Sequence, residues 1–149
     1  MFSIREMTGA DLDHVLALRE DWLGGEPETS VRPESVVRWF GAYCGNDRAC
    51  ALVARINDVC VGYCLISWHR HPTMTGTLAE IDEIHVAQAW SRQGIGRQLV
   101  DRARKMLEAK IDGLTAIRAR VDRQDDDARA FWRALGYEHF ALEYMDYLD

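Results

Sequence analysis

The residues with chemical potential cluster between positions 80 and 97. Glu80, Asp82, Glu83 and His85 lie on an apolar alternating run that ends at Val86. Ala87-Gln88-Ala89-Trp90-Ser91-Arg92-Gln93-Gly94-Ile95-Gly96-Arg97-Gln98 follows, and Ile95, Leu99, Ala103, Met106 and Leu107 then recur on one helical face. A strand therefore ends, a glycine-containing loop turns, and a helix starts at the glycines. Glycine lets main chain approach a ligand closely and adopt dihedrals that other residues avoid. The first N–H groups of the helix and its positive dipole end then converge on one point, which makes a phosphate site built mostly of backbone. The carboxylates and the imidazole just before it are acid–base groups.

Three phosphate ligands compete for such a loop. A dinucleotide fingerprint needs a third glycine, and Leu99 stands there. A Walker loop needs Gly-Lys-Ser/Thr, and Gly96 is followed by Arg97-Gln98. The third is the pyrophosphate of coenzyme A. The segment Val86 to Gly96, with Ser91-Arg92-Gln93-Gly94-Ile95-Gly96, resembles the acyl-CoA loop of the GNAT N-acetyltransferase superfamily, usually Arg/Gln-x-x-Gly-x-Gly/Ala after a strand ending near Val. Ser91 departs from the usual Arg or Gln, with Arg92 one residue away. A second segment, Asp125 and Ala128-Arg129-Ala130-Phe131-Trp132-Arg133-Ala134-Leu135-Gly136-Tyr137, resembles the family's closing motif Asn-x-x-Ala-x-x-Phe-Tyr-x-x-x-Gly-Phe. Asp125 takes the Asn position, Trp132 the Tyr position and Tyr137 that of the last aromatic. The resemblance covers the whole chain in element order and is strongest from 78 to 137.

It implies acetyl transfer from acetyl-CoA, as acetyl donor, to an amine. An alkyl ammonium with pKa near 10.4 is neutral in only about one part in 10³ at pH 7, so a base is useful. Backbone N–H groups of Ile84, His85 and Val86 are expected to hold the thioester oxygen and the pantetheine arm. Ser91, Arg92, Gln93, Gly94, Ile95, Gly96 and Arg97 are expected at the pyrophosphate, and Asp125, Phe131 and Trp132 beside the pantetheine. By pattern alone, Phe131 and Trp132 also belong to an apolar helix stripe with Ala128 and Leu135, and Asp125 suits a helix cap. Glu83 is the first candidate for the base, directly or through water, and His85 the second. Strict alternation sets Glu80 and Asp82 on one face and Ile81 and Glu83 on the other, a count that a bulge would change. Because Trp132 replaces the family's usual acid, Tyr137, Tyr144, another side chain or water is left to protonate the thiolate. That replacement also motivates the rival reading, a non-catalytic acyl-CoA-binding or regulatory module.

Bulk properties agree with an enzyme of this size. A chain of 149 residues, 48% apolar and 28% charged, fits one globular domain spanning 1–149. Net charge is −6, which argues against nucleic acid as a partner. The charge is uneven: Ser91 to Lys110 holds six basic residues against two acids, so that stretch is +4 and the remainder −10. Arg92 and Arg97 are the phosphate candidates, whereas Arg102, Arg104 and Lys105 suit a solvated helix face. No apolar run reaches membrane-spanning length, and the first residues do not read as a signal peptide, so the expected location is the cytoplasm. Cys44, Cys50, Cys60 and Cys64 make no C-x-x-C pair and no zinc-ligand spacing, so no metal is expected. Cys60 and Cys64, four apart in a strand, are expected on one face. The resemblance implies a primary amine of a small molecule or a peptide as the partner, and a homodimer is compatible with the sequence.

The elements that must position these residues read βααβββαβαβ, a mixed α/β sheet with helices on both faces. Thr8 and Asp11 form a capping pair before a first helix, Pro33 opens a second, and Asn57-Asp58 is a hairpin turn. A last strand is expected from Glu138 to Tyr147. The resemblance implies that Thr77–Val86 and Thr115–Val121 splay apart and that acyl-CoA enters the V. The acceptor site is expected among the first two helices, the loop Gly24–Val31, the turn His69–Gly76 and the last strand, with Trp22, Trp39, Trp68 and Trp90 available to line it.

Overall fold

The computed structural model describes residues 2–23, 33–72, 75–140 and 144–148. The elements are β1 (Ser3–Glu6), α1 (Leu12–Trp22), α2 (Pro33–Gly41), β2 (Ala49–Ile56), β3 (Val59–His71), β4 (Gly76–Val86), α3 (Ile95–Lys110), β5 (Leu114–Ala119) and α4 (Asp126–Ala134), with 3-10 turns at Gly9–Asp11 and Gln88–Trp90. The strands form one sheet in the order β1-β2-β3-β4-β5. The first three pairings are antiparallel and β4–β5 is parallel, as a strand–helix–strand unit through α3 requires. Asn57, at φ 48°, supplies the left-handed residue that the two-residue turn between β2 and β3 needs.

Both faces of the sheet are covered. On one, Leu52, Ala54, Cys64, Ile66, Ala79 and Ile81 pack with Ile95, Leu99, Ala103 and Leu107 of α3 and Trp132 of α4. On the other, Ala51, Val53, Tyr63 and Leu65 pack with Val15, Leu16 and Leu18 of α1 and with Phe40 and Tyr43 at the end of α2. Asp11, 2% exposed, is the buried charge at the start of α1. Its carboxylate accepts from both terminal nitrogens of Arg5 at 2.7 Å, from the Thr8 amide at 2.8 Å and from Arg55 at 3.3 Å. Those donors hold its pKa well below the ordinary carboxylate range, Arg5 foremost.

The register shifts at three places among the described residues, at Thr115 of β5 and at two bulges that alter the alternation read from sequence. In β3, Gly62 pairs with Ala54 but Cys60 pairs with Arg55, so Val61 is an extra residue. Cys60 consequently faces α1 and α2 whereas Cys64 faces α3, and the two are not on one face as simple alternation gives. All four cysteines are free thiols. Burial pushes Cys50 up to about 11 and raises Cys60 and Cys64 as well, so they act as protonated packing residues. The second bulge lies in β4 and shapes the site.

The chain's end also differs from expectation. Residues 138–140 and 144–148 carry no regular structure, and Phe140, Tyr144, Tyr147 and Leu148 are largely exposed. Apolar alternation alone does not form a strand; the backbone needs a ladder partner, and among the described residues none is paired to these. Residues 141–143 of the expected strand, and the loop Gly24–Val31, lie outside the described residues.

Candidate active site

The site begins where β4 parts from β5. Their register runs from Thr77↔Leu114 to Ile81↔Ala119 and stops, while β4 continues to Val86 against β3. Among the described residues, Asp82 to Val86 thus has a sheet neighbour on one side only. At this point the β3–β4 register slips: Leu65 pairs with Glu83 and Ile66 with Ile81, leaving Asp82 as the extra residue. A bulge bends its strand and re-aims side chains. Here it places Asp82 and Glu83 on the same face, toward α1 and α2. Alternation then resumes: Ile84 and Val86 pack against the α3 side, and His85 turns toward α1.

Side chains from three other elements meet these groups. The Tyr63 hydroxyl, from β3, donates to Glu83 Oε2 at 2.6 Å. Arg19 Nε, from α1, lies 3.1 Å from Oε2 and 3.3 Å from Oε1, and its guanidinium rests over the Phe40 ring at 5.2 Å. The Tyr43 hydroxyl, just past α2, donates to Asp82 Oδ2 at 2.7 Å. Glu80, on the strand before the bulge, pairs with Arg118 at 2.6 Å. Trp22 stacks on His85 with ring centroids 4.7 Å apart and planes 14° from parallel.

These contacts set the electrostatics. Burial raises the Tyr63 phenol strongly, with Glu83 adding to it, so Tyr63 remains a proton donor. Burial likewise raises Tyr43, aided by Asp82. The Asp82 carboxyl keeps an exposed edge, yet burial lifts its pKa above the ordinary value while bonds from Ser67 and Tyr43 oppose the rise. Burial lowers His85, with Asp21 opposing, so its imidazole is neutral at pH 7.

Downstream, the loop is made of main chain. Arg92 and Gly94 both have positive φ, 61° and 83°, and Gly94 is the N-cap of α3. The Gly94 carbonyl accepts from Gln98 N at 3.0 Å, so Ile95, Gly96 and Arg97 present the first N–H groups of the helix outward. Nothing lies within 4 Å of the place a Cβ on Gly94 would take, so its φ and not packing calls for glycine there. Gly96 serves packing instead. A Cβ there would come within 3.0 Å of Phe131 Cε1, so the glycine lets α4 pack on the first turn of α3. Ser91 Oγ donates to the Gln88 carbonyl at 2.9 Å and thereby closes the preceding turn. Arg92, Gln93 and Arg97 are exposed; Arg97 also makes a long bond of 3.4 Å to the Ala134 carbonyl. A 16-residue helix opening in free amides, flanked by two exposed arginines, fits a diphosphate.

The closing motif lies mostly in the core. Asp125 caps α4 by accepting from Ala128 N at 3.0 Å. Trp132 is buried with α3, and the rings of Phe131 and Tyr137 meet it edge-on at 5.1 and 4.7 Å. Tyr137 is raised by burial and has Arg104 and Asp101 of α3 as charged neighbours. The structure therefore brings Glu83 and His85 together and sets Tyr137 with α3 and α4. Tyr144 is exposed on the chain end. Trp22 is at the site; Trp39 is exposed on α2, Trp68 lies under Lys110, and Trp90 packs toward the α3 core. His69 and His71 sit near each other at 6.1 Å where β3 ends. Arg102, Arg104 and Lys105 are exposed as expected.

Arg19, Tyr43 and Tyr63 are the site residues that sequence reasoning missed. Each sits among core-facing positions in its own element, and only the fold brings it to β4. The one available signal was Arg19 within an apolar helical face.

Comparison with known proteins settles what this arrangement belongs to. The family model of the acetyltransferase (GNAT) family matches residues 15–137. The chain belongs to the GNAT acetyltransferase family. It is thus an acyltransferase of the acetyl-CoA-dependent N-acetyltransferase type. Comparison with curated proteins gives no match. Among solved structures, a transcriptional regulator from Bacillus halodurans C-125 is 27% identical with a TM-score of 0.82, over 98% of this chain and 100% of that one. The aminoglycoside N-acetyltransferase AAC(6')-Iy in complex with CoA is 19% identical with a TM-score of 0.82, over 100% of this chain and 95% of that one. A ribosomal-protein-alanine N-acetyltransferase from Brucella melitensis biovar Abortus 2308 is 17% identical with a TM-score of 0.78, over the whole of both chains. Among the described residues of this GNAT protein, no helix is long and apolar enough to cross a membrane.

Proposed function

We propose that this acetyltransferase moves the acetyl group of acetyl-CoA to a primary amine of a small molecule or a peptide by direct attack, through a tetrahedral intermediate. The observation that carries the reading is the coincidence of three features on β4: the end of pairing with β5 at Ile81, the bulge that turns Asp82 and Glu83 to one face, and the free amides of α3 beyond. The α3 amides with Arg92 and Arg97 take the pyrophosphate of the donor. The main-chain N–H groups of Ile84 and Val86 face the open edge where the thioester comes to lie and stabilise the oxyanion, whereas alternation turns that of His85 toward its antiparallel partner Tyr63 on β3. The amine arrives from the α1–α2 face as an ammonium, attracted by Asp82 and Glu83.

His85 is the proton acceptor in this reading. Its imidazole is neutral, half-buried and on the cleft face, with a lone pair to offer. Glu83 has most of its acceptor capacity taken by Arg19 and Tyr63, so it serves as a fixed anion beside the nitrogen. Tyr137 and Trp132 support α4, and water protonates the CoA thiolate, a tolerable leaving group with a pKa near that of a free thiol. The test is thiol release from acetyl-CoA over a panel of primary amines, from polyamines and amino sugars to peptide N-termini. Acceptor-dependent release supports the reading. Tight CoA binding with no release across the panel returns the chain to a binding or regulatory role.

A further inference from the structure

We propose that Arg19 and Tyr63 are positioning residues of the acetyl transfer, acting on the reaction through Glu83. The inference rests on the reading above, in which Glu83 is a fixed anion and His85 takes the proton. Its warrant is the convergence of two donors from separate elements on one carboxylate. Tyr63 is fully buried, and its phenol, raised by burial, keeps the proton that it gives to Glu83 Oε2. Arg19 reaches the same oxygen with Nε, and its guanidinium carbon lies 5.2 Å from the centroid of the Phe40 ring. A carboxylate on a bulged, singly paired strand is otherwise free to rotate about its side-chain bonds. Three contacts from two rigid elements fix its plane and leave the outer side of Oε1 for an ammonium.

Neutralising Glu83 in part has a second consequence. Glu83 and His85 are two residues apart on one face, about 6–7 Å by strand geometry. An unclamped carboxylate there would favour imidazolium and remove the lone pair that receives the proton. Asp21 of α1 is the charge that bears on His85, and the Trp22 and Tyr63 rings pack against its imidazole. Glu83, with Arg19 and Tyr63 bound to it, and Asp82 stand on the same face of β4. Burial is what lowers His85, and Arg19 is the cation paired with Glu83, so losing Arg19 uncovers the Glu83 charge two residues from the imidazole.

Two measurements test the inference. The first is a set of mutant cycles in kcat and KM with acetyl-CoA and the best primary amine of the panel. Tyr63→Phe and Arg19→Met should each lower kcat/KM for the amine by roughly 10–100-fold, the range for a hydrogen bond to a charged group, with KM for acetyl-CoA unchanged. Arg19→Lys should recover part of the loss. In a Glu83→Gln background neither change should cost anything further. Losses that multiply in that background, or a parallel rise in KM for acetyl-CoA, overturn the inference while leaving the proposed function standing. Full activity in Glu83→Gln overturns the role of Glu83 and the inference with it.

The second measurement needs no acceptor: an NMR titration of the His85 ring in the whole chain. Arg19→Met should raise the His85 midpoint by at least about 0.5, and adding Glu83→Gln should bring it back. An unchanged midpoint in Arg19→Met, or a rise that persists in the double variant, overturns the coupling.

Discussion

The turn from Ala87 to Arg97 and the bulge at Asp82–Glu83 lie a few residues apart on one strand–turn–helix unit, yet they are built from different materials. The turn is main chain: free amides of α3, a left-handed Gly94, and side chains that close the turn or border it. The bulge is side chain: two carboxylates and an imidazole held by Arg19, Trp22, Tyr43 and Tyr63 from three other elements. A main-chain site is local, so it tolerates sequence drift at positions such as Ser91 as long as the glycines keep their dihedrals. A side-chain site is distributed, and it fails when any supporting element is lost.

Gly94→Val is the sharpest way to break the first region. Its φ of 83° is one that a β-branched residue occupies only under strain. Losing two amide–phosphate contacts, each about 1.5–3 kcal/mol, raises the Kd for acetyl-CoA by on the order of 10²-fold or more. Calorimetry on folded variant protein checks it, and unchanged affinity would remove the phosphate role of the loop. Gly96→Ala sharpens the contrast between the glycines. It should act through stability, because the new Cβ meets the Phe131 ring and not the ligand space.

His85→Gln breaks the second region. It should lower kcat/KM by roughly 10²–10⁴ near pH 7, the span for loss of a general base, and leave acetyl-CoA affinity in place. The sign of the pH dependence follows from burial, which depresses the imidazole pKa below its ordinary value of about 6.5. Activity that needs the neutral ring is present above that folded pKa and is lost as pH falls through it. The acid limb of kcat/KM should therefore lie below about pH 6.5 in the parent and vanish in His85→Gln. A limb that survives the substitution assigns the proton to another group.

The same contrast explains what could be read from sequence. The loop was legible because its information is sequential: alternation to Val86, two glycines, then a 3.6-residue apolar period. The β4–β5 pair and the helices on both faces were legible for the same reason. The face that Asp82, Glu83, Cys60 and Cys64 present was not, because each bulge shifts the period by one residue and arises from pairing with a strand elsewhere in the chain. The clamp on Glu83 was hard to read for a further reason: Arg19 is 64 positions away, and its place on an apolar helical face marks it as unusual without naming its partner. At the chain end the alternating apolar pattern was real, but pairing decides a strand.

Trp132 supplies the smallest expected effect and tests where the active site ends. The residue occupies the position at which the resemblance calls for a tyrosine. The indole is 8% exposed and packs with α3, between the edges of Phe131 and Tyr137. None of those neighbours is on the face that carries Glu83 and His85. Trp132→Phe should thus change kcat by less than tenfold, under about 1.4 kcal/mol, while lowering the melting temperature because a large buried ring shrinks. Trp132→Tyr restores a phenol where the family's pattern has one. If chemistry at this site can use that proton, kcat should equal or exceed that of the parent despite the looser packing. Both variants need only steady-state kinetics with one good amine and a thermal melt. A collapse of kcat in Trp132→Phe, with melting temperature and CoA affinity preserved, would falsify the packing role. It would extend the side-chain region across the sheet to α4, with the indole N–H holding a water or the thiolate sulfur.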